Sequence, residues 1–438
     1  MSQTNFGFSK LSKEEKINWI AKTYFSNPKA AISLVKTYWN HDEKLQQLHD
    51  EFIENTITNF YLPLGVAPHF VINEKSYTIP MAIEESSVVA AASKSAKFWA
   101  TRGGFKATVL NTEKIGHVHF TYSGHSLKLE NYFNRIKTIL FEQTESITQN
   151  MQRRGGGILD IKLRNQTHKL INYYQLEVTF ETKDSMGANF INSCLEQLAR
   201  TFEETVKTED SFTDAEKNIQ IVMSILSNYT PNCIVRAEAS CEIEALSDRE
   251  IKNPKEFAAK FVQAIQIAEV EPYRAVTHNK GIMNGIDAVV LATGNDFRAV
   301  EAGIHAYASK NGSYSSLSHP KIDNGIFTFW MEIPLALGTV GGLTSLHPLA
   351  KFSLEMLQQP SAPELMQIVA VAGLAQNFAA LRSLTTTGIQ EGHMKMHLNN
   401  IMNQFDVSSE ERIVIKNHFD QNAVSHAAVV TFIENLRL

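Results

Sequence analysis

Three cysteines, Cys194, Cys233 and Cys241, are all that 438 residues contain, and they share no metal-ligand spacing. An odd, sparse set excludes a disulfide framework and suits free thiols in a reducing compartment. Charge of one sign is also missing. Lys and Arg number 41 against 46 Asp and Glu, a net charge of -5, so no basic field exists for nucleic acid or an anionic membrane. No uninterrupted apolar run approaches the ~20 residues of a membrane span. The opening residues lack the basic segment and apolar core of a signal peptide. These absences predict a soluble, cytoplasmic protein without nucleic-acid or membrane partners. Gly-x-Gly-x-x-Gly follows no strand-like run, which excludes an ordinary Rossmann dinucleotide fold. The glycine-rich Gly338-Thr339-Val340-Gly341-Gly342-Leu343-Thr344 lacks the lysine of a phosphate-binding P-loop.

What is present is an ordinary globular composition, 43% hydrophobic and 20% charged, on a chain long enough for two or three domains. Its most informative stretch is Thr277-His278-Asn279-Lys280-Gly281-Ile282-Met283-Asn284-Gly285-Ile286-Asp287. Glycine punctuation places Lys280 in a polar loop, and the apolar run Ile286–Leu291 predicts a short buried strand. Thr293-Gly294-Asn295-Asp296 ends that strand, with Asn295 or Asp296 as N-cap of a helix over 298–309. Taken alone, Asp296 is a helix cap and Lys280 a solvated lysine.

Other motifs lie along the chain. Ser12-Lys13-Glu14-Glu15 and Ser361-Ala362-Pro363-Glu364 are capping boxes that open helices. Glu84-Glu85 ends the strand 77–83 and precedes a small-residue helix beginning Ser86-Ser87-Val88-Val89. A strand at 115–122, a long helix over 127–154, strands at 158–163 and 170–182, a helix at 189–205 and a strand at 219–226 follow. That β-α-β-β-α-β order predicts a ferredoxin-like module. Asp184-Ser185-Met186-Gly187-Ala188-Asn189 stands where its second helix begins, and free N–H groups there suit a phosphate. His117 and His119 share a strand face, and His393 and His397 a helix face. Neither pair has a third ligand nearby, so no metal is expected and the first pair reads as exposed polar residues on an edge face.

Collectively these segments resemble the class II 3-hydroxy-3-methylglutaryl-CoA (HMG-CoA) reductases. HNKGIMNGIDAVVLATGND, Glu84-Glu85-Ser86-Ser87-Val88, Asp184-Ser185-Met186-Gly187-Ala188-Asn189 and Gly392-His393-Met394 match family motifs in order. Ser86 stands for the usual proline, Ser185 for alanine and Leu343 for the last glycine of a Val-Gly-Gly-Gly-Thr segment. Glu54-Asn55-Thr56-Ile57-Thr58 matches Glu-Asn-Val-Ile-Gly in part, with Thr58 in the glycine position. The resemblance implies an α+β protein. A large mixed α/β substrate domain (1–110 and 226–387) would carry an inserted ferredoxin-like dinucleotide-binding domain (111–225) and a C-terminal helical flap (388–438).

The resemblance also implies four-electron reduction of HMG-CoA to mevalonate and CoA by two NAD(P)H. Glu85, Lys280, Asp296 and His393 would be catalytic. Ser87, Arg274, Asn284 and Asn55 would meet substrate, and Asp184, Met186, Gly187, Ala188, Asn189 and Asn192 the cofactor. NAD-preferring relatives place an aspartate near position 148. Thr148 here, with Arg153 and Arg154 nearby, leans the cofactor toward NADPH over NADH. Family members share the site across a homodimer. The same residues fit the reverse oxidation of mevalonate, and a non-catalytic CoA- or nucleotide-binding protein is the alternative of a different class.

Overall fold

The computed structural model describes residues 7–386, 398–399, 401–419, 422 and 424–438. Its contacts divide the chain into two compact units, Met1–Pro63 and Leu64–Leu438. In the first unit α1 (Lys13–Tyr24), α2 (Pro28–Thr37) and α3 (Glu43–Asp50) each begin at a polar N-cap: Ser12 with its reciprocal Glu15, Asn27 followed by Pro28, and Asp42. The Trp39 indole donates to the Ile57 carbonyl at 2.9 Å, and Lys13 pairs with Asp50 at 2.7 Å. Asn55 takes a left-handed φ of 58°. Thr58 does not, and its hydroxyl donates to the Val35 carbonyl at 2.7 Å, so this turn has no need of the family's glycine.

The second unit opens with the hairpin β1 (Leu64–Ile72) and β2 (Lys75–Ala82), closed by Asn73 and Glu74, both at positive φ. Helix α4 (Val88–Ala100) and β3 (Lys106–Val109) follow. The next segment comprises β4 (Lys114–Thr121), α5 (Ser126–Glu142), α6 (Glu145–Gln152), β5 (Gly157–Asn165), β6 (Tyr173–Glu181), α7 (Ala188–Lys207), α8 (Asp214–Lys217) and β7 (Gln220–Leu226). Its sheet runs β5-β6-β4-β7, antiparallel throughout, in the ferredoxin-like order. Phe120, Tyr174, Phe180 and Phe202 fill a core of its own.

The expected single helix over 127–154 is two. Thr144 is buried and turns its hydroxyl back on the Phe141 carbonyl, competing with the helical ladder. His117 and His119 are not edge residues either. β4 lies between β6 and β7, and both rings are half-buried, His117 beside Glu177 and His119 beside Tyr173.

The rest of the unit contains β8 (Ile234–Glu242), α9 (Pro254–Val270), α10 (Pro272–Ala292), α11 (Phe297–Ala308), β9 (Ser318–Asp323), β10 (Ile326–Pro334), α12 (Leu343–Leu346), α13 (Pro348–Met356) and α14 (Ala362–Thr385). A second antiparallel sheet runs β3-β8-β10-β9. Trp99, Phe261 and Phe329 pack around Phe378 of α14, with ring centroids 5.2–5.8 Å apart. Truncating Phe378 to alanine would cost about 3–5 kcal/mol. A third apolar cluster gathers Leu398, Met402, Ile415, Phe419, Val429 and Ile433.

Lys280 does not sit in a loop before a strand. Residues 272–292 form one helix, α10, because its glycines serve contact with a neighbouring helix. A Cβ on Gly285 would lie 2.4 Å from the Ala372 carbonyl oxygen of α14, and one on Gly373 would lie 2.7 Å from Ile286. The apolar run 286–291 is the buried side of that helix, a case periodicity alone cannot separate from a strand. No unbroken apolar run of ~20 residues occurs, yet one helix interrupted by polar residues is apolar on average. The 24 residues of α14 are long and apolar enough to cross a bilayer, but 78% of their most apolar stretch is buried in protein, as in a core helix.

Candidate active site

Lys280 projects from the open side of α10 and meets Glu85, in the β2–α4 loop, with Nζ 2.7 Å from Oε2. The side chains keep 59% and 42% of their exposure, so the pair adds no more than about 1 kcal/mol to stability. Two residues past Glu85, Ser87 starts α4 at φ 79° with its hydroxyl making no cap bond. A left-handed conformation in a residue other than glycine is strained and needs support from its surroundings. Asn284 lies one turn beyond Lys280 on α10, and Asp287 a further turn. The half-buried Arg274 guanidinium has no partner among the described residues, and burial lowers its pKa.

The buried side of α10 is fixed by a polar network. His278 Nε2 is 2.7 Å from Ser318 Oγ and 3.3 Å from Asn377 Nδ2. Asn279 donates to the Ser315 carbonyl and accepts from Leu317 N–H. Burial, then the charges of Arg274 and His319, push His278 down to about 3. The ring is therefore neutral and sets the rotation of α10, and so the direction of Lys280. His278, Asn279, Asn377 and Asp287 were all missed by sequence reasoning. The only available signal was the His278-Asn279 pair directly before Lys280.

Beyond the C-terminal end of α10 lies a cleft of about 660 Å³, lined by Ser185–Phe190, Leu291, Gly294–Arg298, Gly338 and Val340–Thr344. It gathers Met186, Gly187, Ala188, Asn189 and Asp296 of the expected site. Gly187 begins α7 at φ 89° with no side-chain cap, leaving first-turn N–H groups available to an anion. The loop before it is held from outside. The Asp184 carbonyl accepts from Thr339 N–H at 2.8 Å, and its Oδ1 from Ala362 N–H at 2.8 Å. Gly338 packs so closely that a Cβ there would sit 2.5 Å from Met186 N. Asp184 thus anchors the loop, and Asn192 Oδ1 is likewise engaged, by Leu226 N–H.

Asp296 caps α11 as expected, accepting from Arg298 and Ala299 N–H groups and pairing with the Arg298 guanidinium. It makes no bond to Lys280 or Glu85 among the described residues. Arg153 and Arg154 are exposed at the end of α6 and do not line the cleft. Thr148 is only 2% exposed and accepts a hydrogen bond from Gln152. Asn55 belongs to the other unit, and His393 and His397 lie outside the described residues. No group of three His, Cys, Asp or Glu residues among those described is arranged to hold a metal.

The site thus offers a ferredoxin-like sheet, an uncapped helix start facing a cleft, and an exposed ammonium–carboxylate pair. A family model for hydroxymethylglutaryl-coenzyme A reductase matches residues 12–398. The chain is 38% identical to the 3-hydroxy-3-methylglutaryl-coenzyme A reductase of Archaeoglobus fulgidus, covering 92% of this chain and 87% of the relative. It is 34% identical to a probable reductase of Borreliella burgdorferi over 83% and 82% of the two chains. The solved reductase of Streptococcus pneumoniae superposes with a TM-score of 0.73 at 34% identity, over 98% of this chain and 99% of that one. Its class II form bound to NADPH in open conformations gives 0.71 at 35% identity, over 86% and 99%. The chain belongs to the hydroxymethylglutaryl-coenzyme A reductase family.

Proposed function

We propose that this protein reduces HMG-CoA to mevalonate and free CoA with two molecules of NADPH. The observation that carries the reading is the Lys280–Glu85 pair. Two reactive groups 195 positions apart meet at 2.7 Å on exposed surfaces, where pairing does little for stability. The dinucleotide would lie in the cleft at the start of α7, with its phosphates against the N–H groups of Ala188 and Asn189. When bound it supplies a hydride in each of two rounds. The module 111–225 would contribute the Ser185–Phe190 wall of this cleft, and the large core (to 110 and 226–387) its other wall and the substrate site, with 388–438 as the flap.

Lys280 would donate to the substrate carbonyl oxygen as negative charge develops there. Glu85 would deliver the proton that completes aldehyde reduction. His393 would protonate the departing CoA thiolate. Arg274, with Ser87 and Asn284, would hold anionic and polar parts of the substrate. Asp296 is held beside Leu291, where Asn295 N–H bonds the Val290 carbonyl. Eleven residues of helix, roughly 16 Å of rise, separate Leu291 from Lys280. A homodimer would therefore complete the site by bringing one subunit's Asp296 cleft to the other's Lys280. The protein would act as a soluble cytoplasmic enzyme, a reading supported by the burial of α14.

Loss of near-ultraviolet nicotinamide absorbance on adding HMG-CoA tests the reaction. Two NADPH consumed per HMG-CoA is expected, and none would remove the reading. Mixing inactive Lys280→Met and Asp296→Asn proteins tests the shared site. Subunit exchange should restore roughly a quarter of wild-type activity if each site draws on both subunits. No recovery would place the site within one chain.

A further inference from the structure

We propose that Lys114 is a positioning residue of the dinucleotide site, its buried ammonium fixing the Thr182–Gly187 turn and giving the cofactor pyrophosphate a positive charge beneath the start of α7. This rests on the assignment of the α7 cleft to the dinucleotide. Lys114 opens β4 and is only 4% exposed. Its Nζ donates to Thr182 Oγ1 and, at 3.2 Å, to the Ser185 carbonyl, while Thr182 Oγ1 donates to that same carbonyl at 2.6 Å. Gly187 packs on the Thr182 side chain so closely that a Cβ would fall 2.5 Å from its methyl. The ammonium therefore sets, through one threonine, the backbone that presents the N–H groups of α7.

Among the described residues no carboxylate forms an ion pair with this ammonium. The charged or titratable groups acting on Lys114 are Glu181 at the end of β6, Asp184 in the loop and the Cys233 thiol before β8. Glu181 is engaged by Lys183 and the Thr112 hydroxyl, and Asp184 Oδ1 by Ala362 N–H. Burial pushes the Cys233 thiol up to about 11, so it is neutral. An unpaired buried ammonium is costly, and an anion docking two residues beyond Ser185 would offset that cost. Burial also lowers the Lys114 pKa. The charged form exists below that pKa, so cofactor affinity should fall as pH rises through it.

The test measures NADPH and NADH binding to the full-length protein by fluorescence, alongside KM for HMG-CoA. Lys114→Met should weaken both cofactors about tenfold or more, the scale of one charge-assisted contact. KM for HMG-CoA should stay within about twofold, and the alkaline loss of affinity seen in the wild type should disappear. Thr182→Val, which keeps the ammonium but removes its hydroxyl partner, should weaken the cofactors less and retain the pH dependence. It carries the test should Lys114→Met fail to fold. Unchanged cofactor affinity, equal weakening toward both substrates, a loss confined to NADPH, or an unaltered pH profile would each overturn the proposal. A wild-type protein that binds neither nucleotide would overturn the cofactor assignment and this inference with it.

Discussion

The two loops proposed to frame the chemistry are built in opposite ways. The loop at 182–187 is clamped from β4 by Lys114, from the 338–340 segment by backbone contact and from α14 through Asp184. The loop carrying Glu85 is held at its tip by one exposed ion pair and enters α4 through a strained serine. A dinucleotide offers the same phosphates at every turnover, so a preformed cradle serves it. The acyl substrate changes from thioester to aldehyde to alcohol, and loosely tethered charges can follow it. On the proposed assignment, many contacts would hold the cofactor side and few the substrate side.

The largest expected effect breaks the loose side. Lys280→Met should lower kcat for HMG-CoA reduction by about 10²–10³, the usual loss on removing an oxyanion-stabilising donor. The melting temperature should barely move, because an exposed pair adds about 0–1 kcal/mol. A large drop in melting temperature would mean that the pair is structural.

Next comes the helix beneath that lysine, which is as tightly packed as the 182–187 loop. Gly285→Ala puts a methyl 2.4 Å from the Ala372 carbonyl, forcing α10 and α14 apart at a cost of about 1–3 kcal/mol. Denaturant midpoint and kcat should fall together. If the midpoint holds, the adjustability extends into the helix itself.

On the clamped side, Asp184→Ala removes the acceptor for Ala362 N–H and should cost about 1 kcal/mol. KM for NADPH should rise and KM for HMG-CoA stay constant. An equal rise in both would show that the two loops are not independent.

The same contrast explains what the sequence disclosed. Capping boxes and the strands β4–β7 are local signals, and each element formed where its pattern placed it. The residues Asp184–Asn189 were legible as a strand–glycine–helix junction, and α7 does begin there. α10 was not legible. Its Gly285 answers to Ala372 and Gln376, about ninety residues downstream, and no local pattern carries that information. His278 was hidden for the same reason, since its partners Ser318 and Asn377 come from distant elements. Lys114 stood just outside the strand expected at 115–122, and no local pattern marked it.

The smallest effect concerns Asp287, on the Lys280 side of α10. Burial, and then hydrogen bonding and charge from Glu301 of α11, raise its pKa from 3.8 to about 8. In the unfolded chain the carboxyl ionises near 3.8, whereas the folded protein keeps the proton until about pH 8. Across that window the folded state binds more protons, so this group makes stability fall as pH rises, with the full loss reached above pH 8. Asp287→Asn keeps the shape and removes the titration. Its melting temperature should therefore decline less than that of the wild type between mildly acidic and alkaline pH. Such flattening would show that α10 is tied to α11 by a shared proton, and that the helix under the adjustable lysine is itself locked at neutral pH. Parallel pH profiles for the two proteins would remove Asp287 from that account and leave the packing of Gly285 to hold the helix alone.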